Sequence, residues 1–213
     1  HRLLQNDLAI KVLKGGQGNL QNRMQREGMV QFELNHPNII KLTDMFEDQG
    51  RLFLVMEYIN GGSLEELLDH QKLSEDQCIE LFKQTVQGVA FAHEKGVIHR
   101  DLKPANIMLQ NEAGQLIAKV ADFGLVKVAD SAERLTQTGV AMGTPAYMSP
   151  EQIRQSKDVT PASDIFSLGV VFYEMLTGNR PFQGKDTFEI LQAVVQQEPL
   201  DFSTVKEQFG DFL

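Results

Sequence analysis

Two short polar clusters constrain this chain more than any other feature: His99-Arg100-Asp101-Leu102-Lys103-Pro104-Ala105-Asn106 and, further on, Asp122-Phe123-Gly124. The first places a carboxylate (Asp101), a lysine (Lys103) and an amide (Asn106) in one short loop, and the second adds another carboxylate, Asp122. A lone Asp-Phe-Gly is usually a turn, because short motifs match by chance. The ordered pair is far more specific than either cluster alone.

At 213 residues and 42% apolar, the chain is long enough for one or two domains with a real core, at roughly 100–200 residues per domain. A net charge of −9 and a pI near 5.0 argue against a nucleic-acid partner, which needs clustered Lys and Arg to displace counterions. The single cysteine, Cys78, excludes a disulfide framework and a thiolate zinc cluster and fits a reducing compartment. The most apolar run, Ile165 to Leu176, is interrupted by Ser167 and Glu174 and falls short of the roughly 20 residues a membrane span needs. No signal peptide is visible. The first residue is His1 rather than Met, and the chain is expected to be an excerpt of a longer protein.

Leu8 to Leu13 (LAIKVL) and Arg51 to Tyr58 (RLFLVMEY) are expected strands, the second preceded by a turn at Asp48-Gln49-Gly50. Gln21 to Asn35 is expected to be an amphipathic helix ended by Pro37. After Gly61-Gly62, the expected hinge beside a cleft, the chain becomes mainly helical. Ser63 with Glu66 and Ser74 with Gln77 fit the reciprocal capping box. From the second box, Ile79, Phe82, Val86, Val89 and His93 define a predicted buried stripe, closed by Gly96. Asp164 to Thr177 should be a central buried helix ending at Gly178.

HRDLKPAN with DFG resembles the catalytic and metal-binding loops of the protein kinases. The resemblance extends over nearly the whole chain. Ala9-Ile10-Lys11 matches the strand that carries the ATP-contacting Lys, Ser149-Pro150-Glu151 matches the end of the activation segment, and Asp164 matches the Asp of the central helix. The implied fold is α+β and two-lobed: residues 1–60 a partial, β-rich N-lobe with one helix, lacking the Gly-rich loop and first strands, and residues 61–213 a mainly helical C-lobe lacking the final helices. The implied activity is ATP-dependent and Mg²⁺-dependent phosphoryl transfer to Ser or Thr hydroxyls of proteins, by a domain in the cytoplasm whose parent protein could be membrane-anchored elsewhere.

Phosphoryl transfer passes through a loose transition state with charge spread over phosphate oxygens, so catalysis is mostly positioning plus cations. Asp122 and Asn106 are hard oxygen ligands suited to Mg²⁺. Asp101 has the chemistry of a general base, and Lys103 could neutralise the departing γ-phosphate. By resemblance Lys11 holds the α- and β-phosphates and is itself held by Glu27. Also by resemblance, Met56 lies at the back of the adenine pocket, with the Glu57 carbonyl and the Ile59 N–H facing the base. His99 is implied to orient the loop without transferring a proton, and Asp164 to accept hydrogen bonds from it. Outside the pattern, Lys11 would be an ordinary strand lysine, Glu27 a solvated helix charge and Met56 core filler.

Lys103 and Thr144, in Gly143-Thr144-Pro145, resemble the Ser/Thr kinases, and Pro104 to Met108 with Thr136 to Thr138 resembles the bacterial eukaryotic-like group. Arg100 could pair with a phosphate on Thr136 or Thr138, with dimerisation allowing autophosphorylation in trans; Thr144 is expected at the substrate platform. Gly15-Gly16-Gln17-Gly18 follows the Lys strand and is expected to be a connector. Phe166 stands where the family usually has Trp, and Gln31 where it usually has an apolar residue. The excerpt alone is expected to be weakly active or inactive. The alternatives are a non-catalytic kinase-like scaffold that binds nucleotide and a kinase acting on small molecules.

Overall fold

The computed structural model describes residues 7–13, 28–123, 145–154 and 159–196. Three strands, β1 (Leu8–Leu13), β2 (Leu42–Asp48) and β3 (Arg51–Glu57), form an antiparallel sheet in the order β1-β3-β2. Gln49 and Gly50 both take positive φ, so a two-residue turn joins β2 to β3, as Asp48-Gln49-Gly50 predicts. The register sets Lys11 opposite Leu54 and Met56 opposite Ala9. Leu13, Leu42, Leu52 and Leu54 fill one face of this sheet.

Residues 28–33 are helical, and the chain has left the helix before Pro37, as expected. The earlier part of the expected helix, with Glu27, lies outside the described residues, as does Gly15 to Gly18.

Both capping boxes form. Ser63 caps α1 (Leu64–His70) with Glu66, and Ser74 caps α2 (Glu75–Glu94) with Gln77. The predicted stripe on α2 is corrected. The buried face is Cys78, Leu81, Gln84, Thr85, Gly88, Val89 and Ala92, and Ile79, Phe82, Val86 and His93 flank it half-buried. Apolar periodicity alone misplaced the face by about one residue because small and hydroxyl side chains occupy the tightest contacts; Thr85 hides its hydroxyl on the Leu81 carbonyl.

A 3-10 turn (Pro104–Asn106) leads into the hairpin β4 (Ile107–Glu112) and β5 (Gln115–Val120). After a second 3-10 turn (Pro145–Tyr147) come α3 (Pro150–Arg154), α4 (Pro161–Thr177) and α5 (Thr187–Gln196). Gly178 ends α4 at φ 70°. The large core joins α1, α2, β4, β5 and α4 through Leu64, Leu81, Ile107, Leu109, Val171 and Leu176. Phe166 stacks on Phe182 with centroids 5.7 Å apart, which fills the position usually held by Trp.

The sheet and the helical body meet along residues 38–41. Val120 donates its N–H to the Asn38 carbonyl (2.8 Å) and Ile40 donates to the Val120 carbonyl (2.9 Å). Gly61 lies against the Leu109 carbonyl, where a Cβ would clash, and Leu109 donates to the Gly62 carbonyl at 2.8 Å. The connection after β3 is therefore clamped on β4. Among the described residues no helix is long and apolar enough to cross a membrane.

Candidate active site

Asp164, on the first turns of α4, is 1% exposed and organises the loop that contains Asp101. Its Oδ2 accepts the His99 N–H at 2.8 Å and lies 2.7 Å from His93 Nε2, while Oδ1 accepts the Arg100 N–H at 2.8 Å. Thr160 and Pro161 begin the helix, so Asp164 is no cap; it acts on the loop as the resemblance implies. Arg100 takes φ 67°, a conformation costly for a non-glycine residue, and these bonds hold it there.

His99 is fully buried and its ring links two segments. Nδ1 accepts the Asp101 N–H at 3.2 Å, so the ring proton sits on Nε2 and is donated to the Ala121 carbonyl at 2.7 Å. Burial holds the His99 pKa below its usual value although Asp164, the Ala121 carbonyl, Asp101 and Asp122 pull it upward. A neutral ring with both nitrogens committed positions the loop and moves no proton.

Ala121 in turn donates its N–H to the Asn106 carbonyl at 2.8 Å. The two ends of the 99–106 loop are thus fastened to the residue before Asp122. Asn106, 8% exposed, donates its amide to the Asp101 carbonyl (2.8 Å) and to Asp101 Oδ2 (3.3 Å). Its side-chain oxygen is then the atom suited to a cation. Lys103 Nζ lies 3.4 Å from Asp101 Oδ2. Asp122 takes φ 62°, and its Oδ2 lies 2.6 Å from Lys11 Nζ on β1.

Asp101, Lys103, Asn106, Asp122 and Lys11 therefore form one linked constellation. Phe123 is buried beside Leu34, Val120 and Leu168, its ring 4.8 Å from that of His99. Gln31 is 3% exposed and its Oε1 has no hydrogen-bond partner among the described residues, as is true of the buried Arg100 Nε. Among the described residues no group of three or more His, Cys, Asp or Glu could hold a metal. One carboxylate with one amide suits Mg²⁺, which keeps waters and substrate phosphates as its other ligands.

Met56 is half-buried and packs against both the leucine cluster of the sheet and the cluster of Ile40, Ile59 and Ala121. Glu57 ends β3. Its carboxylate accepts from Lys119 Nζ at 3.1 Å on each oxygen and from the Lys41 N–H at 2.8 Å. Neither partner was foreseen, because the contact joins residues 62 apart in sequence. Gln152 was also missed, although Ser149-Pro150-Glu151-Gln152 has capping-box spacing. Its side chain accepts the Ser149 N–H and donates to the Arg100 carbonyl at 2.8 Å, fastening α3 to the 99–106 loop. Thr136, Thr138 and Thr144 lie outside the described residues.

The family profile described as "Protein kinase domain" matches residues 1–211. The chain is 38% identical over 190 residues to a probable serine/threonine-protein kinase PknB of Lactococcus lactis, covering 86% of this chain and 29% of that protein. It is 37% identical over 206 residues to the serine/threonine-protein kinase PknB of Mycobacterium tuberculosis, covering 92% of this chain and 32% of that one. The chain thus spans about a third of the length of these relatives. Among solved structures, Rad53 1-466 in complex with AMP-PNP superposes with a TM-score of 0.74 at 28% identity, covering 94% of this chain and 48% of that one.

Proposed function

The chain belongs to the protein kinase domain family, of the eukaryotic-like bacterial Ser/Thr type, and on that premise we propose that it transfers the γ-phosphate of ATP to Ser or Thr hydroxyls of proteins. The observation that carries this reading is the fastening of the 99–106 loop to Ala121, which sets Asp101 and Asn106 beside Asp122 and Lys11. The likeness to relatives named as Ser/Thr kinases supports the substrate class.

In this reading Asp101 accepts the proton of the attacking hydroxyl as its oxygen bonds to the γ-phosphorus and the bond to the ADP oxygen breaks. Lys103 neutralises the transferred group, and Lys11 exchanges Asp122 for the α- and β-phosphates, with Glu27 as its further partner. Asp122 and Asn106 would hold Mg²⁺, which when bound would supply charge neutralisation at the phosphate oxygens. Met56 bounds the adenine pocket, and the main chain of Glu57 and Ile59 meets the base. Residues 1–60 form the N-lobe and 61–213 the C-lobe around this cleft.

Regulation would act through Arg100, whose buried Nε lacks a partner among the described residues, by pairing with phosphate on Thr136 or Thr138; Thr144 completes the substrate platform. Autophosphorylation in trans by a homodimer in the cytoplasm fits this scheme. Among the described residues β1 is an edge strand with Ile10 and Val12 exposed, a template for association with another chain, and the 213 residues alone are expected to be prone to aggregation and weakly active. Transfer of labelled phosphate from ATP to a protein, to a small alcohol, or to neither separates this reading from a small-molecule kinase and a scaffold.

A further inference from the structure

Beside the second 3-10 turn, Tyr147, Glu174 and Arg180 form a network that the catalytic scheme does not use. The Tyr147 phenol, 6% exposed, donates to Glu174 Oε2 at 2.5 Å, and Arg180 Nε lies 3.4 Å from Glu174 Oε1. Both oxygens of this carboxylate are therefore engaged from within the chain. The Arg180 guanidinium also sits 5.9 Å from the Tyr147 ring centroid.

The surroundings hold this arrangement in place. Tyr147 is tied to α4 by the Ser167 hydroxyl, which donates to the Tyr147 carbonyl at 2.7 Å. Arg180 follows the αL cap at Gly178 and precedes Pro181 and Phe182, both buried, so its backbone is anchored on each side. Its side chain nevertheless remains 42% exposed, against 16% for Glu174. Such a pair is weak, and a competing charge can displace it. Burial and the bond to Glu174 push the Tyr147 pKa well up, with Glu65 of α1 adding to the effect and Arg180 opposing it. Two carboxylates thus act on this ring, and one cation counters them.

The turn continues into α3, whose Gln152 reaches the Arg100 carbonyl, adjacent to Asp101. A peptide presenting its hydroxyl to Asp101 would bring flanking residues, spaced about 3.3 Å apart when extended, over this turn. We propose that Arg180 is a specificity-determining residue: it masks Glu174, so that basic side chains flanking the acceptor hydroxyl gain less here than they would from the bare carboxylate. This rests on the kinase reading for the place of the peptide. It adds the charge class of the substrate.

The test is equilibrium binding, without ATP, of two fluorescent peptides that differ only in carrying Arg or Glu around a central Thr. They are titrated against the full-length protein, Arg180→Gln and Arg180→Lys. The ratio of basic-peptide to acidic-peptide affinity should rise roughly three- to fivefold in Arg180→Gln and stay at the unmodified value in Arg180→Lys. An unchanged ratio in Arg180→Gln, an equal rise in both variants, or no binding of either peptide would overturn the assignment. Because no phosphate moves in this assay, failure of the kinase reading is seen separately, as absence of labelling when ATP is added.

Discussion

Lys11 Nζ lies 2.6 Å from Asp122 Oδ2, so the cation assigned to the phosphates and the carboxylate assigned to the metal are in contact with each other. Each side chain is 34% exposed, and an ion pair of that exposure contributes little to stability. Replacing Lys11 with Met should change the unfolding free energy by less than about 1 kcal/mol. Phosphate transfer should fall roughly 10²-fold or more, since a charge acting on the transition state is removed. Denaturant unfolding and steady-state kinetics on one preparation check both; a large loss of stability would make Lys11 structural.

Asp164 carries a different burden. Two buried loop N–H groups and His93 depend on its carboxylate. Asp164→Ala should cost about 3–5 kcal/mol, because the donors lose a charged acceptor and Arg100 loses the bond from its N–H that holds it at positive φ. A urea titration measures the change, and a loss below about 1 kcal/mol would contradict the role given to this residue.

His99 gives a signed pH dependence. Its folded pKa lies below the ordinary value of 6.5, so below that pH the unfolded chain takes a proton that the folded chain resists. Its stability contribution is complete above pH 6.5 and is lost as pH falls toward the depressed folded pKa. His36, lowered by burial, acts in the same direction. Unfolding free energy measured from pH 7.5 to about 5 should therefore decline, and His99→Phe, though less stable, should decline less steeply. Equal slopes would remove His99 as a source.

Strands β1 and β3, both capping boxes, the central helix and the two motifs that carry Asp101 and Asp122 were legible, because each is written in local spacing or in a contiguous motif, whereas β2 and the β4–β5 hairpin were not foreseen. What stayed hidden depends on distant pairing. The Glu57–Lys119 contact and the Tyr147–Glu174–Arg180 network join elements far apart in the chain, and single charged residues carry no local mark of their partner. The buried face of α2 was displaced because Thr85 and Gly88 hold it, and neither is apolar in pattern. Gln31 stood out as an unusual residue, but only the structure places its side-chain oxygen in the interior without a partner among the described residues.

Lys119 is 13% exposed and ties the end of β3 to β5, three residues before Asp122. Lys119→Met leaves Glu57, among the described residues, with the Lys41 N–H and should destabilise the fold by about 1–2 kcal/mol, after allowance for the part-exposed carboxylate. Since Glu57 borders the proposed adenine site, KM for ATP should rise more than kcat falls. A fall in kcat with KM unchanged would place the pair outside nucleotide positioning.

The central claim is tested most directly by ATP-dependent transfer of labelled phosphate to a generic Ser/Thr protein substrate, comparing the full-length protein with its Asp122→Asn and Asp101→Ala forms. The account predicts Mg²⁺-dependent labelling by the unmodified protein and none above background with Asp122→Asn. With Asp101→Ala, kcat should fall roughly 10²-fold or more at nearly unchanged ATP affinity. Full labelling by Asp122→Asn, or none by the unmodified protein in the presence of Mg²⁺ and ATP, would contradict it.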